Sequence, residues 1–234
     1  MKPLSLLYSL CLGLFLTWHA QASESCKIIN SFSGLIFDAG AFVGATDMEA
    51  HLDRALTYGV EKAVLFPHPD AQGGNHPIEL EETFPDLVVR GNAPWSNASA
   101  VIWPEPISKS MFGHLETELA RFPDRNYLLG HVSRFNLKTL ERWLKTYPNL
   151  WIGFGKPEID QMVENCGQGA LSKLMRAASN RVVFASYGKA EGWENYKWTI
   201  RKLKKLAEYL SPTEADALLF KNAEELYKLS VNAP

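Results

Sequence analysis

Short apolar runs alternate along this chain with longer amphipathic stretches, the pattern of a parallel sheet covered by helices. Runs at 35–37, 62–66, 87–90, 100–103, 127–129, 150–154 and 181–185 are short and rich in β-branched, aromatic or leucine side chains, and predict seven strands. Between them, apolar positions recur at helical spacing. Thr46 followed by Glu49 has the form of a capping box, and predicts a helix that runs to Tyr58 and stops at Gly59. Further helices are predicted at 78–83, 110–121, 137–146, 171–178 and 195–209. Ser211, Pro212 and Glu214 supply a cap, a first-turn proline and a carboxylate that reaches back. Asn222 with Glu225 repeats the capping arrangement, so two short helices are expected to close the chain.

The N-terminus stands apart from this alternation. Lys2, an apolar run from Leu4 to Trp18 and the small-residue site Ala20-Gln21-Ala22 form a secretory signal, residues 1–22, and predict a mature start at Ser23. The run is too short to span a bilayer comfortably, and nothing later approaches the roughly 20 apolar residues a membrane helix needs. Neither Cys11 nor Cys26 follows a convincing lipobox. An exported protein, periplasmic or secreted, without membrane insertion is expected.

The remainder, 23–234, suits a single domain near the short end of the size range of a (β/α)8 barrel. No repeat, low-complexity tract or long linker divides it; the stretches 67–77 and 92–99 are short polar punctuations. With 46% hydrophobic residues there is ample material for a core. The whole chain has a net charge of −2, and removing Lys2 with the leader makes it slightly more acidic, which argues against nucleic acid as a partner. The basic stretch 201–205 is interleaved with Leu203 and reads as the wet face of an amphipathic helix. Cys26 and Cys166 remain after processing, either as one disulfide suited to an oxidising compartment or as two buried thiols. Asn97-Ala98-Ser99 is a glycosylation sequon that matters only in a eukaryotic source.

Several segments carry a resemblance. LIFDAGAF (35–42), YLLGHVSR (127–134), NRVVFASYGKAEGW (180–193) and the tail LSPTEADALLFKNAEELYKL (210–229) resemble the framework of the amidohydrolase superfamily, in its branch of hydrolases and decarboxylases related to aminocarboxymuconate semialdehyde decarboxylase. The resemblance spans nearly all of 23–234 and is best after Tyr127. It implies an α/β fold of TIM-barrel type, a (β/α)8 barrel with its site at the C-terminal ends of the strands. Across 91–111 the match fails, as if one strand and helix were lost, so a shortened or distorted barrel of about seven strands is expected. The resemblance also implies a metal-dependent hydrolase or decarboxylase of small organic acids or amides. Its first strand ends in Asp-x-His-x-His and its last in Gly-Ser-Asp, and those His and Asp residues hold the metal. Here Asp38 is followed by Gly40 and Phe42, and Ser186 by Tyr187, so three donors are replaced by groups that do not serve.

Candidate chemistry is therefore sought at the same strand ends. His131 matches a family metal or substrate ligand, and with Asp38 and Tyr187 makes the catalytic candidate set; its alternative is a histidine bonded to neighbouring loop backbone. His68, Asp70, Glu105, Lys156, Ser186 and Trp103 are candidate ligand-binding residues around an expected concave mouth, with His76 and Glu158 nearby in sequence. No metal ligands are assigned and no cofactor is expected. The alternative is one divalent metal such as Zn held by a rebuilt set from His68, Asp70, His76, Glu105 and His131. Trp95, Trp103, Trp151 and Trp193 either line a pocket for an aromatic or sugar-like ligand or are ordinary packing residues. A small-molecule substrate or ligand is the expected partner. A metal-dependent hydrolase, a metal-free acid/base enzyme, a non-catalytic binding protein and an envelope interaction protein all stay open on these residues.

Overall fold

In a computed structural model the chain is described over residues 26–43, 48–67, 88–90, 100–103, 109–187 and 195–231. Seven parallel strands are present there: β1 (Ile36–Val43), β2 (Val60–Pro67), β3 (Val88–Arg90), β4 (Ala100–Trp103), β5 (Asn126–Leu129), β6 (Leu150–Phe154) and β7 (Val182–Phe184). All seven runs expected from the sequence are strands, and two have the expected ends. The helices are α1 (Met48–Thr57), α2 (Phe112–Arg121), α3 (Leu137–Thr146), α4 (Lys156–Glu164), α5 (Gly169–Ala177), α6 (Tyr196–Ala207), α7 (Pro212–Asp216) and α8 (Asn222–Val231). None of the described helices is long and apolar enough to cross a membrane.

Local chemistry explains most of these boundaries. Gly59 ends the α1 region at φ +81°, a left-handed conformation that glycine adopts without steric cost. Asn136 caps α3 by accepting from Lys138 N–H at 2.9 Å, and Leu140, Trp143 and Leu144 form its buried stripe. Ser211 and Glu214 complete a reciprocal capping box at α7. Two expectations change. Helix α4 was not foreseen; Pro157 sits in its first turn and Glu158 reaches back to accept the Gly155 N–H at 3.1 Å. Asn222 does not cap a separate helix: its amide donates to the Ser179 and Val182 carbonyls at 2.6 and 2.7 Å, tying the tail to β7. A π-helical turn, Ala217–Lys221, joins α7 to α8, so the tail runs on without a break. The expected helix at 78–83 and the Thr46 cap lie outside the described residues.

The strands form two sheets, β1-β2-β3 and β4-β5-β6-β7, and the expected closed barrel is not made by a continuous ladder among the described residues. At the seam between β1 and β7, Tyr187 N–H donates to the Gly40 carbonyl at 2.9 Å, and Ser186 N–H donates to the Asp38 carboxylate at 2.9 Å. The reason is local. Strand β7 has three residues, β1 shifts register between Asp38 and Ala41, and a side chain takes the bond a strand carbonyl would otherwise accept.

Two cores result. The outer one packs the helices on the sheets, with Trp143, Tyr127, Phe154 and Phe184 among its largest fully buried side chains. The inner one draws Phe37, Ala39, Val64 and Phe66 from one sheet and Leu128, Trp151, Val183 and Ala185 from the other. It is closed by Ala223 and Leu226 of α8, a helix that lies against β1, β4 and β7. Phe37 packs near Phe220 and Tyr227 at ring distances of 6.0 and 6.1 Å, and the Tyr227 hydroxyl donates to the Ala39 carbonyl at 2.5 Å. The C-terminal helix therefore fills space between the two sheets. At the start of the described chain, Cys26 and Cys166 form a disulfide with their Cα atoms 5.1 Å apart. Ile29 N–H donates to the Glu208 carbonyl at 2.8 Å, and the Asn30 amide to the Ala207 and Leu210 carbonyls, so this arm is fastened to the end of α6.

Candidate functional site

Asp38 within β1 lies beside residues that follow the C-terminal ends of β5, β6 and β7, namely His131, Glu158, Ser186 and Tyr187. Asp38 is fully buried, and three donors converge on its carboxylate: Gly40 N–H at 3.2 Å, Ser186 N–H at 2.9 Å and the Tyr196 hydroxyl at 3.0 Å. Burial pushes its pKa up, hydrogen bonds from Ser186, Gly40 and Tyr196 pull it back, and the balance stays above the ordinary aspartate value. Asp38 also raises the Tyr196 phenol well above its usual range, after burial, which is the larger cause. Glu158 is equally buried and accepts from Ser133 N–H at 2.9 Å, Ser133 Oγ at 2.6 Å and Gly155 N–H. Both carboxylates are thus occupied by hydrogen bonds that hold strand ends and helix starts in place.

Tyr187 occupies the middle of this group. It is 6% exposed, and its ring lies over Gly130 at the end of β5 and Gly153 within β6. A β-carbon on Gly153 would stand 2.0 Å from the phenol oxygen, and one on Gly130 would stand 2.7 Å from the ring. Glycine is needed at both places for this approach. The backbone of Tyr187 has φ +46°, a left-handed conformation unusual for a bulky residue. Its hydroxyl is buried with no hydrogen-bond partner among the described residues. Burial, followed by the nearby Tyr227, Glu158 and Asp38, raises the phenol well above its usual value, so it stays protonated through the physiological range. His131 also has a left-handed backbone, φ +54°, and its half-buried ring lies 5.5 Å from that of Tyr187.

The remaining candidates are distributed as follows. Lys156 begins α4 and pairs with Asp160 at 2.6 Å on a half-exposed surface. Ser186 contributes its backbone N–H to Asp38. Trp151 is 5% exposed, belongs to the inner core and donates from Nε1 to Asn126 at 3.1 Å, which is a packing position. Trp103 closes β4, and its side chain is not described. His68, Asp70, His76, Glu105, Trp95 and Trp193 lie outside the described residues. Sequence reasoning missed Gly130, Gly153, Tyr196 and Tyr227. A glycine inside the apolar strand run LWIGF was the one available signal of a close approach there.

The residues present do not fit the metal that the amidohydrolase resemblance implies. Such a centre needs three or more donors within roughly 2 Å of one point, with a position left open for water. Gly40 has no side chain to supply a donor atom. The Asp38 and Glu158 carboxylates each accept three hydrogen bonds, and the Tyr187 ring occupies the gap at Gly130 and Gly153. Among the described residues no group of three His, Cys, Asp or Glu side chains is arranged to hold a cation.

Comparison with known proteins gives a likeness of fold. No family model matches this chain, and no curated protein matches it. The structure is similar to that of an uncharacterized TIM-barrel protein, Bb4693, from Bordetella bronchiseptica. The two share 12% sequence identity with a TM-score of 0.56, over 80% of this chain and 84% of that one. The chain has a TIM-barrel-like α/β fold. In barrels of this type the loops at the strand C-terminal ends form the working face, and His131, Glu158 and Tyr187 follow the ends of β5, β6 and β7.

Proposed function

We propose that this is an exported, amidohydrolase-related protein, descended from metal-dependent hydrolases and decarboxylases of small organic acids or amides, that works without their metal centre as a small-molecule-binding protein. The observation that carries this reading is the seat of Tyr187. At the position where the family pattern has a metal-binding aspartate, the chain has a phenol whose ring fills the space on Gly130 and Gly153. A hydrolytic site at neutral pH needs a base that titrates near working pH or an ionised nucleophile. The Tyr187 phenol is held protonated, and Asp38 is committed to Gly40, Ser186 and Tyr196. Export is supported by the leader sequence and by the Cys26–Cys166 disulfide, a bond that persists in oxidising compartments.

Restoring the missing donors tests the descent and the loss together. The triple variant Gly40→His, Phe42→His, Tyr187→Asp puts three ligands back at the family positions and removes the ring between them. It should acquire zinc that the wild-type protein lacks, measured by dialysis against zinc and elemental analysis. A variant that folds normally and binds no zinc would show that β1 and β7 are not aligned as the resemblance requires.

A further inference from the structure

We propose that the slot under Tyr187 is a binding site for a small, neutral, planar aromatic ring of the size of phenol, and that Tyr187 is its displaceable internal occupant. The proposal rests on the reading that this mouth binds a small molecule, and names what it binds.

The shape of the slot comes from two absences of side chain. Gly130 and Gly153 leave a gap that the Tyr187 ring enters so closely that a β-carbon at either position would collide with it. His131 closes one side with its ring centroid 5.5 Å away, and the inner core, with Ala39, Val183 and Ala185, lies beneath. A flat ring fits such a gap where a branched aliphatic side chain does not.

Tyr187 is poorly held in this slot by anything except its ring. Its hydroxyl is buried with no partner among the described residues, which raises the energy of the seated state. Turning the side chain out returns the hydroxyl to water. The Tyr187 N–H bond to Gly40 anchors the backbone while the ring moves, because that bond does not involve the side chain. A free ring, untethered at the position of Cγ, can then take the same place with its hydroxyl turned outward, where Tyr187 must bury its own. The slot selects a neutral ring, since its lining of Gly130, Gly153 and the buried inner core is apolar and offers a charge nothing in place of water. Phenol and p-cresol meet this requirement, and benzoate does not.

The test compares p-cresol and benzoate on the wild-type protein and on Tyr187→Gly, a substitution that suits the left-handed backbone and empties the slot. Calorimetry should show saturable p-cresol binding to Tyr187→Gly, at least about tenfold tighter than to the wild type, where the occupant must first leave. Benzoate should bind neither, and adding Gly153→Leu to Tyr187→Gly should refill the slot and abolish p-cresol binding. In wild-type protein labelled with 3-fluorotyrosine, p-cresol should move one fluorine resonance, absent in Tyr187→Phe, from a buried to an exposed position. That labelled measurement decides the matter if Tyr187→Gly does not fold. Failure of p-cresol to bind Tyr187→Gly, equal affinity for both proteins, equal binding of benzoate, or an unmoved resonance would each overturn the proposal. Metal content measured on the same preparations separates the two readings. Ring binding by a metal-loaded protein would sink the metal-free reading alone, and no ring binding by a metal-free one would sink this inference alone.

Discussion

The Tyr187 phenol oxygen stands 2.0 Å from the point where a β-carbon on Gly153 would lie, so these two positions, 34 residues apart in sequence, constrain each other. Gly153→Ala should therefore destabilise the protein by about 1–3 kcal/mol, the usual cost of overpacking. In a Tyr187→Gly background the same change should cost much less, because the atom it strikes is gone. Urea denaturation of the four proteins of this double-mutant cycle checks it, and additive effects would mean that the two residues do not touch.

Asp38 should give the protein a recognisable pH dependence. Its folded value lies above the unfolded one because burial outweighs its hydrogen bonds, so the folded state binds the proton more tightly. By linkage, the stability this group contributes is full below the unfolded value near 3.8 and is lost as pH rises through the folded value. Asp160 and Glu214 act in the opposite sense. Burial raises each, but Lys156 and Lys202 on Asp160, and Ser211 and Arg176 on Glu214, outweigh it and hold both low, so their contribution is lost on acidification. Subtracting the pH–stability curve of Asp38→Asn from that of wild type isolates the first effect. The difference should decline from about pH 4 upward, and a rising difference would contradict the assignment.

Asn222 on the tail and Tyr196 on α6 each make buried side-chain hydrogen bonds that can be tested one at a time. Asn222→Ala leaves the Ser179 and Val182 carbonyls without the amide that both now share, and should cost about 1–3 kcal/mol. Tyr196→Phe removes one of three donors to Asp38 and should cost a similar amount while raising the aspartate further. Thermal denaturation together with titration of the Asp38 carboxyl resonance measures both.

Opening the Cys26–Cys166 bond should cost about 2–5 kcal/mol, since it closes a loop that covers most of the described chain. The loss should be local first. Amide exchange at Ile29 and Asn30, whose N–H groups bond to the Glu208 carbonyl, should accelerate on reduction before exchange in β6 does. Equal acceleration throughout would show that the arm and the barrel unfold as one unit.

Much of the architecture was legible because strand runs such as 62–66 and 150–154 are continuous, apolar and rich in strand formers. Strand β1 was read too short, since Asp38 and Gly40 interrupt its apolar run. The groups that satisfy Asp38 come from Ser186 and Tyr196, 148 and 158 residues away, a distance no local pattern conveys. Helix α4 was missed because its segment KPEIDQMVE has only a thin apolar stripe, and the contact that starts it is made by Glu158 itself. Of the candidate residues, the structure sets the His131 and Tyr187 rings 5.5 Å apart and bonds Asp38 to the N–H of Ser186, next to Tyr187 in sequence. That Tyr187 turns inward depends on two glycines from other strands and on a left-handed backbone, which are matters of packing.

The central claim, that a seated phenol has replaced the metal centre, is tested most directly by the metal content of the wild-type protein. Protein from its producing cell purified without chelator should contain no stoichiometric zinc, manganese or iron by elemental mass spectrometry. One full equivalent of any of these, lost on substitution of His131 or His68 by alanine, would contradict the account and establish a rebuilt centre.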